Sequence, residues 1–124
     1  TRLGDLYNEL PDRVSDVLVL VGAGFSIGTP RGICYGWLCA VLAVLTAYVR
    51  AMGGVTGSTQ PFCGPMAKQQ RMVTVIVASS LTAAELLVGR SHVVMTVALL
   101  AIAAGSAVTC VRRTLIIARD LNSR

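Results

Sequence analysis

The sequence predicts an all-α integral membrane fold of four transmembrane helices. Composition is the first ground: of 124 residues, 54% are hydrophobic and only 14% charged, with a mean hydropathy of +0.69. A soluble domain of this size needs more charge to cover its surface. The second ground is four apolar runs limited by charge or by Gly and Pro, and the third is an uneven split of basic residues between alternate connections.

The first run extends from about Val14 to Gly28, the second from Ile33 to Val49, the third from Met72 to Gly89 and the fourth from Val93 to Val111. A helix needs roughly 20 residues to cross the hydrocarbon. The first run is short, so its helix is expected to begin upstream, among the charged residues between Leu3 and Asp16. Small residues four apart, Gly24 with Gly28 and Ala101 with Gly105, predict close helix approach. The four cysteines, Cys34, Cys39, Cys63 and Cys110, match no metal or haem spacing and read as packing residues. A start at Thr1, with no basic and apolar leader, predicts no signal peptide and a piece of a longer protein.

Orientation follows from Lys and Arg. With the first helix starting in the cytoplasm, that side receives Arg2, Arg13, Arg50, Lys68, Arg71, Arg112, Arg113, Arg119 and Arg124, and only Arg31 and Arg90 lie outside. Both ends and the stretch from Ala51 to Gln70 are then cytoplasmic, and the turns near Pro30 and Ser91 external. The expected location is the cytoplasmic (inner) membrane. The net charge of +5 is accounted for by topology and attraction to membrane lipids, with no aromatic and basic interleaving to suggest a nucleic-acid partner.

The acids are concentrated. Asp5, Glu9, Asp12 and Asp16, four of the six, are spaced four, three and four apart and form one stripe on a helix. Stacked like charges need compensation, from solvent and Arg13 or from a hard divalent cation.

The stretch from Gly4 to Asp16, Gly-Asp-Leu-Tyr-Asn-Glu-Leu-Pro-Asp-Arg-Val-Ser-Asp, resembles the second half of the CDP-alcohol phosphatidyltransferase signature, D-x-x-D-G-x-x-A-R followed after eight or nine residues by G-x-x-x-D-x-x-x-D. Gly4 matches the second glycine, Asn8 stands where the third aspartate belongs, and Asp12 matches the fourth. Tyr48-Val-Arg50-Ala and Gly64-Pro-Met-Ala-Lys68-Gln-Gln-Arg71 are similar to the family's acceptor-pocket segments. The resemblance covers residues 1–124 as the C-terminal part of the membrane domain, the last four of six helices, with the first half of the signature expected upstream of Thr1.

The resemblance implies transfer of a phosphatidyl-type group from a CDP-lipid to a small alcohol acceptor with release of CMP. It implies two Mg2+ (or Mn2+) ions, held in part by Asn8 and Asp12, and a general base at Asp12. Gly4, Arg50, Lys68 and Arg71 are the implied substrate-binding residues. Three basic residues by the pocket favour a phosphorylated polyol as acceptor, and family members are commonly homodimers. Asn8 departs from the pattern, since an amide carries no negative charge and bridges two ions less well than a carboxylate. Two other classes stay open: a small four-helix multidrug transporter, which needs a carboxylate central in a span, and a non-catalytic membrane subunit.

Overall fold

The computed structural model describes residues 2–58, 68–89 and 92–124, and among these the chain is all helix, with no strand. Helix α1 spans Arg2–Ser26, α2 Pro30–Val55, α3 Lys68–Leu87 and α4 Val93–Asn122. The first helix does begin upstream of its apolar run, and it continues through Pro11. The connection read as Ala51 to Gln70 is shorter than its sequence suggested, because α2 runs on to Val55 and α3 starts at Lys68.

Local chemistry sets the α1–α2 turn. Gly28 adopts φ of +75°, a conformation that costs glycine little, and Thr29 is extended and accepts a hydrogen bond from the Gly32 amide at 3.1 Å. Pro30 then occupies the first helical turn, where its missing N–H costs nothing. Gly28 therefore serves the turn rather than helix packing: a Cβ there would meet nothing within 4 Å. At the α3–α4 turn, at the same end of the bundle, Glu85 Oε2 accepts from the Val94 amide at 3.3 Å, so this acid near the end of α3 caps the start of α4.

Helix α1 packs on α2, α2 on α4 and α4 on α3, while α1 and α3 meet only lightly. The interior is built from small side chains. Helix α2 buries Gly32, Gly36, Cys39, Ala40, Ala43, Thr46 and Gly53, and the larger core residues are Leu20, Leu99 and Ile102. Ala101 is exposed, so the close approach expected from Ala101 and Gly105 is made by Gly24, Gly32 and Gly36 instead.

Large apolar side chains point outward on all four helices, among them Leu18 and Phe25, Trp37 and Val41, Ile76 and Leu81, and Val97 and Leu115. Small-inside, large-outside inverts the pattern of a water-soluble core and matches helices that pack in lipid. Among the described residues two helices, α2 and α4, are long and apolar enough to cross a membrane. The charged stripe lowers the apolarity of α1, and Gln69, Gln70, Arg71, Ser79 and Ser80 do so for α3.

Candidate functional site

The beginnings of α1 and α3 and the ends of α2 and α4 share one end of the bundle. Ser58 Oγ, just past α2, donates to Asp120 Oδ2 near the end of α4 at 2.6 Å, which fixes those two ends side by side. This end opens into a cavity of about 1110 Å³.

One wall is α1. Its acids recur at helical spacing, and Asp5, Glu9 and Asp12 line the cavity together with Asn8 and Arg13. The facing walls are basic and polar, with Tyr48 and Arg50 from α2, Gln69, Gln70 and Arg71 from α3, and Arg113 from α4. Four of the residues expected from sequence therefore border one space: Asn8, Asp12, Arg50 and Arg71. Gly4 is exposed on α1 and is not part of the lining. Lys68 is the first residue of α3, but its side chain, like Gly64, Pro65, Met66 and Ala67, lies outside the described residues.

Beneath the acidic wall sits a buried ionic group. Asp16 and Arg71 are each 2% exposed, and Arg71 Nη2 lies 3.6 Å from Asp16 Oδ2. Arg13 reaches the same oxygen with Nη1 at 3.7 Å and Glu9 Oε2 with Nη2 at 3.5 Å. The compensation expected from Arg13 is thus present, with Arg71 added to it. At these separations the contacts are ionic, and Asp16 Oδ2 accepts no hydrogen bond from the described residues. Nearby, Arg113 Nη1 donates to the Thr46 carbonyl at 3.2 Å.

Asp16 and Arg113 were not among the site residues expected from sequence. Arg113 reads there as one of a topological pair with Arg112, yet it continues the buried line of Ser106, Thr109 and Ile117 on α4, at spacings of three and four. That phase was the available signal. Asp16 belonged to the stripe, but its role depends on Arg71, 55 positions away in the chain.

For a hard cation the cavity offers the Asn8 amide oxygen and the Asp12 carboxylate one helical turn apart, while Glu9 is turned toward Arg13. Among the described residues no three His, Cys, Asp or Glu side chains converge as a metal group. Two protein oxygens suit a magnesium ion that keeps water and phosphate oxygens for its remaining positions. No family model, curated protein or solved structure matches the chain.

Proposed function

We propose that this chain is the C-terminal part of a CDP-alcohol phosphatidyltransferase, with all four helices in the cytoplasmic membrane and the cavity opening to the cytoplasm. The observation that carries the reading is the meeting of Asn8 and Asp12 on one wall with Arg50 and Arg71 on the others, around one cavity. The outward large apolar residues of α1 and α3 support spans beyond the two that qualify on composition.

In this reading the guanidiniums of Arg50 and Arg71 hold the phosphate of a phosphorylated polyol. Asp12 orients the acceptor hydroxyl and takes its proton. The hydroxyl oxygen bonds to the lipid-linked phosphorus, the bond from that phosphorus to the bridging oxygen breaks, and CMP leaves with the electron pair. Magnesium or manganese, when bound at Asn8 and Asp12, supplies charge neutralisation at the pyrophosphate. The apolar exterior of the bundle accommodates the lipid chains, and a homodimer is the expected assembly.

A proton-coupled transporter draws less support. Asp16, the buried acid of α1, is already engaged by Arg13 and Arg71 in ionic contacts and does not line the cavity, so it is not presented to a cation there. The test is release of CMP from a CDP-lipid by the intact protein, including the sequence expected upstream of Thr1, with glycerol phosphate or inositol phosphate as acceptor. Magnesium-dependent release is expected. Absence of release with phosphorylated and neutral alcohols alike overturns the reading.

A further inference from the structure

Asp16 is the one acid of the α1 stripe that does not line the cavity, yet both guanidiniums it faces, Arg13 and Arg71, do. We infer that Asp16 is a positioning residue: from behind the cavity wall it aims the Arg71 guanidinium at an anionic phosphate in the cavity. The phosphate belongs to the acceptor only if the transferase reading holds.

Energetics favour a positioning role over a merely stabilising one. Removing a carboxylate and a guanidinium from water costs about as much as their attraction returns, so a buried pair is a weak way to hold helices together. What such a pair supplies is geometry. The Arg71 side chain leaves α3, which touches α1 only lightly, and Asp16 Oδ2 lies 3.6 Å from its Nη2. A guanidinium is planar and carries five donors in a fixed fork. Drawing one edge of it toward Asp16 restricts rotation about the long side chain, which sets how the guanidinium sits in the wall of the cavity that Arg71 lines.

Arg13 is shared differently. It lies between Glu9 and Asp16 on its own helix, so two carboxylates compete for it. Arg71 reaches Asp16 from another helix and is the partner whose direction Asp16 decides.

Inorganic phosphate is the probe, with binding to the purified intact protein followed by calorimetry. The wild type is expected to bind. Asp16→Asn should weaken binding about ten-fold or more, as when a charge-assisted hydrogen bond is lost, and Asp16→Glu should recover most of it. In an Arg71→Gln background, Asp16→Asn should cause no further loss. Wild-type binding by Asp16→Asn overturns the inference, as does absence of binding by the wild type or independent losses in the double variant. If Asp16→Asn is not monodisperse, Arg71→Lys carries the test: it keeps the charge facing Asp16, lacks the fork, and should lose binding to the same extent, whereas wild-type affinity overturns the role. CMP release separates the two ideas. A protein that binds phosphate through Asp16 and Arg71 but releases no CMP loses the transferase reading alone.

Discussion

Gly24 and Gly36 face each other across the α1–α2 contact so closely that a Cβ on Gly24 would lie 2.7 Å from the Gly36 Cα, and one on Gly36 would lie 2.9 Å from the Gly24 Cα. Because the opposing atoms are backbone, no side chain can move aside. Alanine is intrinsically better than glycine in a helix by about 1 kcal/mol, but overpacking a tight contact costs about 1–3 kcal/mol, and here the clash should dominate. Gly36→Ala is expected to lower the thermal unfolding midpoint in detergent. Gly22→Ala, where an added Cβ meets nothing within 4 Å, should leave it unchanged or raise it. Equal stability in the two variants would contradict the α1–α2 packing.

The distribution of basic residues predicts sidedness. Cysteine introduced at Thr56 in a cysteine-free background should react with a membrane-impermeant maleimide only after the cells are opened, and cysteine at Arg31 should react in intact cells; both positions are exposed. The bond from Ser58 to Asp120 requires the ends of α2 and α4 to lie on one side, so a reporter fused after Arg124 should agree with Thr56. Disagreement between those two would break the bundle as well as the topology.

The same latch divides unequally. Ser58 is buried and donates to a carboxylate, so Ser58→Ala should cost about 1 kcal/mol. Arg124 also bonds the Gly57 carbonyl at 2.7 Å and pairs with Asp120 at 3.2 Å, but it is half exposed, and solvent screening should hold the cost of Arg124→Ala below about 0.5 kcal/mol. Thermal unfolding of the two variants tests the order.

What the sequence made legible is what local chemistry decides. Punctuation at Gly28 and Pro30 located the first turn, and the stripe from Asp5 to Asp16 put Asn8 and Asp12 on one helical face. Tyr48 and Arg50, set apart by the resemblance of their segment, do border the cavity. Relationships between distant positions were not legible. That Arg71 turns back to Asp16, that Gly24 meets Gly36 of α2, and that Arg113 joins the cavity wall all depend on which helices become neighbours. An arginine at a helix end reads the same in sequence whether it meets water, lipid phosphate or a buried carboxylate.

Asp12 and Asn8 give opposing predictions in the intact protein. Both border the cavity one turn apart on α1, with Asp12 half-buried and Asn8 exposed. If Asp12 takes the acceptor proton, Asp12→Asn should lower turnover by roughly 100-fold, the usual scale for loss of a general base, while the protein still inserts and stays monodisperse. Asn8→Asp adds a carboxylate where the chain now offers an amide. It should leave turnover intact or raise it and should lower the magnesium concentration needed for half-maximal rate, because a second negative charge binds a hard cation more tightly. If both residues are only solvated surface on α1, neither change should matter, since exposed polar exchanges shift stability by less than about 0.5 kcal/mol and touch no reacting atom. CMP release measured against magnesium concentration for the wild type and both variants decides between these outcomes, and near-wild-type turnover in Asp12→Asn removes Asp12 from the chemistry.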